Sequence, residues 1–175
     1  MKLKILFTII LVTFASLGSA DELRKAVDSK DRSEKNIVRD EFRKPYETLS
    51  FFQLEPDMTI VELSPGGGWY TEILANFIRK SGNLIAAHFS KDSDRAYFRN
   101  SRINFEKKVK ENSLYEKVRV VDLNSKLSDP SSVDAVLTFR NLHNWLGPNM
   151  DKIFFNSYVA LKPGGLFGIV EHRAK

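Results

Sequence analysis

The sequence contains no cysteine, which excludes disulfides and thiolate metal sites. It also lacks internal repeats, low-complexity tracts and any Gly/Ser/Pro-rich linker that would divide it, so its 175 residues leave room for one domain. Excess charge of one sign is scarce as well. Met1–Ala20 holds two lysines and no acid, so the remainder carries 25 basic against 22 acidic residues, a net of +3. That is too mild a balance to imply a nucleic-acid partner. Acids and bases alternate from Lys25 to Lys44, which reads as a solvated helical face.

Long apolar runs are missing too, with one short exception. Lys2 and Lys4 precede the run Ile5–Ala15, and Ser16-Leu17-Gly18-Ser19-Ala20 then leads into Asp21-Glu22. The run falls short of the ~20 residues that span a bilayer as a helix. Small residues before a charged start mark a signal peptide over residues 1–20, cut after Ala20. No cysteine follows it, so a lipoprotein anchor is excluded, and no stable membrane span is expected after processing. The expected location is outside the cytoplasm, in the periplasm.

What is present after residue 21 is one domain with two kinds of pattern. Residues 21–53 read as helical, with Pro45 placed to open a second helix that turns Leu49, Phe52 and Leu54 inward. From Thr59 onward strand and helix signals alternate. Strands are predicted at 59–63, 84–88, 118–121, 133–139 and 166–170, and helices at 69–80, 91–112 and 150–161. Tyr97, Phe98, Phe105 and Val109 form the expected buried side of the second of these helices. Ile153, Phe154, Ser157, Tyr158 and Leu161 form that of the third, and Phe51, Phe52, Phe154, Phe155 and Tyr158 are read as packing residues. The alternation predicts a doubly wound, Rossmann-like α/β domain with a mostly parallel sheet. Such sheets bind ligands beyond the carboxyl ends of their strands.

The richest stretch is Glu62-Leu63-Ser64-Pro65-Gly66-Gly67-Gly68-Trp69-Tyr70. A phosphate loop of the Walker type needs Lys-Ser or Lys-Thr after its last glycine, where Trp69-Tyr70 stands. A dinucleotide fingerprint fits only its first two glycines, and needs an acid about twenty residues on, where this chain has His88. A ligand with a cationic head fits better. The helix N-terminus favours a carboxylate, and Glu62 can accept from an ammonium, so an amino-acid zwitterion satisfies the loop.

These residues resemble the first motif of class I S-adenosylmethionine-dependent methyltransferases, and Lys162-Pro163-Gly164-Gly165 looks like that family's turn before a late strand. Together with Pro45–Leu49, Phe139–Trp145 and Val170–Arg173, the pattern is similar to a bacterial group of exported predicted methyltransferases. The resemblance implies an S-adenosylmethionine cofactor and methyl transfer to an unidentified acceptor. It places Glu62 on the methionine ammonium and brings the backbone close at Gly66 and Gly68. Asp122 would meet the adenine amino group, with Leu123 against the ring. His88 stands where the family has an acid for the ribose, and Ser64 where it has its first glycine. A proline after Ser64 favours an extended backbone there. Arg140 joins the cofactor contacts. The family fold adds a helix and two strands beyond the fifth, so a C-terminally shortened domain is expected.

His143 can act as a base toward a nucleophile; alternatively Arg140, Asn141, His143, Asn144 and Trp145 shape a pocket wall. Glu171, His172 and Arg173 can face the same cleft. His88, His143 and His172 match no compact metal motif, so no metal is expected. An exported binding module that has kept the fold without catalysis is the alternative function, and a dinucleotide oxidoreductase is a third.

Overall fold

Apolar residues line up into strands that a parallel sheet buries on both faces; the computed structural model, which describes residues 18–173, shows this for the three central strands, while the two edge strands are only partly buried. The strands are β1 (Thr59–Leu63), β2 (Asn83–His88), β3 (Val118–Asp122), β4 (Val133–Phe139) and β5 (Leu161–Val170). Their spatial order is β3-β2-β1-β4-β5, and every neighbouring pair is parallel. The chain winds outward from β1 in one direction and then restarts at β4 on the other side. The crevice between the carboxyl ends of β1 and β4 is the switch point at which such sheets take ligands.

Residues 18–27 are helical (α1), followed by α2 (Glu34–Ile37), α3 (Asp40–Arg43) and α4 (Pro45–Phe51). Helices α5 (Trp69–Ile78), α6 (Ala96–Glu111) and α7 (Pro148–Ala160) connect the strands. One core packs α1, α4 and α5 on a face of the sheet around Leu49, Ile73, Leu74 and Ile78. The other packs α7 on the opposite face around Leu63, Val136 and Ile153. Each fully buried leucine contributes about 2 kcal/mol of apolar transfer free energy. Gly82, after α5, is required by space: a Cβ there would lie 2.5 Å from the Met58 carbonyl oxygen.

Several expectations are corrected. The helical reading of 21–53 becomes four short helices, because Lys44 takes a left-handed φ of 46° that ends α3 and starts α4 at Pro45. The face from Lys25 to Lys44 is not solvated throughout. Arg32 is buried, donating to the Val27 carbonyl oxygen and to both carboxylate oxygens of Asp40. Tyr97, Tyr158, Phe51 and Phe155 are exposed rather than packed. On α6 Phe105 is buried as expected, and the other buried position goes to Arg102. Residues 162–165 bulge out of β5: Leu161 pairs with Val133, and pairing resumes at Leu166 with Ala135.

The signal-peptide reading falls mostly on residues 1–17, outside the described residues. Helix α1 runs across Ala20-Asp21: its buried apolar residues Leu23, Ala26 and Val27 follow that point, while the buried Ser19, whose hydroxyl donates to Glu55, precedes it.

Candidate active site

The glycine loop is shaped by backbone angles that ordinary residues avoid. Gly66 and Gly68 have φ of 58° and 79°, and Ser64 shares the left-handed region at 54°. This corrects the extended backbone expected before Pro65. The turn carries Ser64 across the top of the sheet, where its amide donates to the Ala87 carbonyl oxygen at 2.8 Å. A side chain at Gly68 would press on the Phe105 ring at 3.1 Å and on Lys108 Nζ at 3.2 Å. Lys108 is the loop's fastening. Its ammonium donates to the Gly67 carbonyl oxygen at 3.1 Å and to Glu72 Oε1 at 2.8 Å.

Glu62 is the next-to-last residue of β1, just before this loop. It is 2% exposed, and Thr71 Oγ1 donates to its Oε2 at 2.6 Å, while its Oε1 accepts from no described residue. Burial pushes the carboxyl up to about 7, against the opposing pull of the Thr71 hydrogen bond and the Lys108 charge. A buried acid that ionises at neutrality is prepared to meet a cation. Ser64 Oγ is also buried and has no hydrogen-bond partner.

Two clefts open on either side of the loop and share Ser64, Gly66, Gly67 and Asn141. The first, about 610 Å³, contains Glu62, Arg140 and His143. The second, about 860 Å³, contains Asp122 and Leu123. Asp122 ends β3 and is held by Arg102, whose Nη1 donates to Oδ1 at 2.8 Å, and by Ser90 Oγ, which donates to Oδ2 at 3.1 Å. Arg102 also grips the Phe89 carbonyl oxygen at 2.8 Å. Asn141 spans the seam, its amide donating to the Ser64 carbonyl oxygen at 3.2 Å.

The predicted residues therefore converge, with two exceptions. Gly68, where the loop enters α5, lines neither cleft. His88 is 1% exposed and lines neither cleft. Its Nδ1 accepts from the Phe89 amide at 2.7 Å, which leaves Nε2 to donate to the Gly66 carbonyl oxygen at 3.1 Å. Burial lowers its pKa, so it is held neutral as a brace of the loop.

Sequence reasoning missed the wall of the first cleft formed by Lys35, Arg39 and Arg43. Their four-residue spacing was a legible signal of a shared side, but it lay inside a stretch read as solvated. The wall is tied to α5 by Trp69 Nε1, which donates to the Asn36 carbonyl oxygen at 2.7 Å, and by Ser33 Oγ, which donates to Glu72 Oε1 at 2.7 Å. The Tyr70 and Phe139 rings stack at 3.5 Å in the same cleft. At its rim His143 Nδ1 meets Glu171 Oε1 at 3.1 Å, which orients the imidazole and leaves Nε2 available as a base. Glu171, His143 and His172 each offer one atom within 4.8 Å of the others, a set with metal-ligand chemistry that the spacing in sequence did not disclose.

No family model and no curated protein matches the sequence. Solved structures do match the fold. An S-adenosylmethionine-dependent methyltransferase from Aquifex aeolicus superposes with a TM-score of 0.64 at 20% identity, covering 85% of this chain and 74% of its own. The glycopeptide N-methyltransferase MtfA, complexed with S-adenosylmethionine, gives 0.52 at 17% identity over 69% of this chain and 47% of its own. The cyclase SpnF gives 0.57 at 18% identity over 75% of this chain and 46% of its own. Against the last two, the chain spans about half the neighbour's length. The likeness establishes a Rossmann-like methyltransferase fold, and the presence of a cyclase among these neighbours shows that such a fold hosts more than one chemistry.

Proposed function

We propose that this chain binds S-adenosylmethionine across the glycine loop and transfers its methyl group to an acceptor in the first cleft. The observation that carries this reading is Glu62: a buried carboxyl poised near neutrality, with one oxygen unclaimed, at the switch point of the sheet. The residues present fit the donor. Glu62 Oε1 would accept from its ammonium, Ser64 Oγ would gain the partner it lacks, and Asp122 would accept from the adenine amino group beside Leu123. Asp122 keeps acceptor capacity beyond Arg102 and Ser90, since a carboxylate offers about four lone-pair positions.

When bound, the donor supplies a methyl group on a cationic sulfur; an acceptor atom bonds that carbon as the carbon–sulfur bond breaks, and the electron pair stays on sulfur. His143, oriented by Glu171, takes the acceptor's proton on Nε2. The shared loop and Asn141 hold donor and acceptor sides in register, which is the main requirement for an in-line displacement.

Calorimetry with S-adenosylhomocysteine tests the reading. The wild-type chain should bind, and Glu62→Gln should weaken binding by ~10- to 100-fold, the value of a charge-assisted hydrogen bond. No heat at millimolar ligand would sink it. The inward turn of His88 favours a second reading, a binding module that keeps the fold but has lost tight donor binding, because His88 offers no hydrogen bond to the ribose hydroxyls. Binding of S-adenosylhomocysteine no tighter than millimolar, with none formed from S-adenosylmethionine and pooled acceptors, would support that reading. We also propose export through residues 1–20, with N-terminal sequencing of the mature protein expected to begin at Asp21.

A further inference from the structure

We propose that the methyl acceptor is a small molecule carrying two or more negative charges, such as a phosphate ester or a polycarboxylate, held by Lys35, Arg39, Arg43 and Arg140. This rests on the methyl-transfer reading and adds the substrate class.

Four cationic side chains line the first cleft against a single carboxylate, Glu62. They arrive from separate places: three from the N-terminal segment and Arg140 from the end of β4. None of the four forms an ion pair with a described residue, whereas Arg32 nearby is locked onto Asp40 at 2.6 Å. Arg43 is half-buried over the Trp69 ring, its guanidinium carbon 4.9 Å from the centroid. Burial lowers its pKa, and Arg39 and Arg140 lower it further by repulsion, so these guanidinium groups are close enough to act on one another. Like charges gathered in this way favour a common anion.

The donor does not supply that anion. Its carboxylate is offset by its ammonium and its sulfonium, so it enters with a net charge of about +1, and Glu62 answers the ammonium. Seating it therefore adds positive charge to a wall already in excess, and one carboxylate cannot balance four cations. An acceptor with at least two negative charges does. The cleft's 610 Å³ lies within the range of small-molecule sites. Trp69 and the stacked Tyr70–Phe139 pair provide an apolar floor for the acceptor's carbon skeleton.

Calorimetry on the full chain with inorganic phosphate, citrate and uncharged glucose tests the inference and separates the two anion chemistries. At least one anion should bind and glucose should not. Raising salt from ~50 to ~300 mM should weaken the anion several-fold. Arg43→Gln and, independently, the exposed Arg39→Gln should each weaken the anion by ~10-fold while changing S-adenosylhomocysteine affinity less than ~3-fold. Lys107→Gln, on the outer face of α6, serves as the control and should change neither. S-adenosylhomocysteine binding with no anion binding overturns the inference and leaves the methyl-transfer reading standing; absent S-adenosylhomocysteine binding strikes that reading itself. Arginine variants that weaken S-adenosylhomocysteine as much as the anion would assign the guanidinium groups to the donor's carboxylate, and overturn the inference by another route.

Discussion

The two clefts that meet at Ser64 and Asn141 differ in charge and in what builds them. The first sets Lys35, Arg39, Arg43 and Arg140 against Glu62 alone, while the second sets Asp92, Asp94 and Asp122 against Arg95. The second is walled by segments that directly follow β2 and β3 and is braced by a buried arginine. The basic wall of the first comes from helices of four residues, too short to persist without side-chain fastenings. One sheet edge thus presents a rigid acidic half and a lightly fastened basic half. With a donor laid across the loop, its ammonium on Glu62 and its adenine beside Asp122, the basic wall would steer an anionic acceptor into the first cleft before any specific contact forms.

The largest effect that would break this contrast is the loss of Arg102. Its side chain is almost fully buried and joins Asp122, Glu106 and the Phe89 carbonyl oxygen. Arg102→Met should cost about 3 kcal/mol in urea unfolding and should damage the acidic cleft while leaving anion binding in the basic cleft intact, after correction for folded fraction.

Glu62 yields the next effect through pH. Its folded value of about 7 lies above its ordinary value of 4.5, so the native state holds a proton that the unfolded state releases between those limits. The favourable contribution is full below pH 4.5 and is lost as pH rises through 7, on the order of 3 kcal/mol in total. His88 opposes it on the acid side. Its pKa is lowered by burial, so its neutral form contributes stability above its ordinary value of 6.5 that is lost as pH falls. Comparing wild type with Glu62→Gln across pH 5 to 8 isolates the carboxyl: the variant should lose the decline toward alkaline pH and keep the acid-side loss. Because a bound ammonium favours the charged carboxylate, S-adenosylhomocysteine binding at pH 7 should release about half a proton, seen as a dependence of calorimetric heat on buffer ionisation enthalpy.

A smaller effect falls on the loop that both clefts share. Lys108→Met removes the donors to Gly67 and Glu72 and should cost about 1–2 kcal/mol in stability. It should weaken donor and anion alike, by a few-fold each. A change confined to one ligand would show that the loop does not couple the clefts.

Much of this architecture was legible in the sequence, and for a common reason. Strands buried on both faces have to be apolar, so β4 was read at its observed bounds and β1 and β2 within a residue, while the part-exposed edge strand β3 was read within a residue from its β-branched valines. Glu62 stood out because an acid in such a run must have a partner or a task. What escaped depends on side-chain direction. His88 carries the same letter whether it faces a ligand or the Gly66 carbonyl oxygen, and tertiary packing selected the latter. Tyr97 and Tyr158 fit an apolar stripe yet face solvent, because the inward positions of their helices are taken by Arg102 and Phe105 on α6 and by Ile153 and Ser157 on α7. Lys35, Arg39 and Arg43 were hidden by the helix break at the left-handed Lys44, which sets a charged stretch against the crevice.

The fastening of that stretch has an evolutionary consequence. Two side-chain ties, from Trp69 to Asn36 and from Ser33 to Glu72, attach the basic wall to the sheet domain. Rewriting the residues between Ser33 and Lys44 would present a new surface to incoming molecules while the Gly66–Gly68 turn, Asp122 and Arg102 are inherited unchanged. A lineage built on this plan could remodel the basic wall through substitutions in one short segment, leaving the glycine turn and the acidic cleft under separate selection.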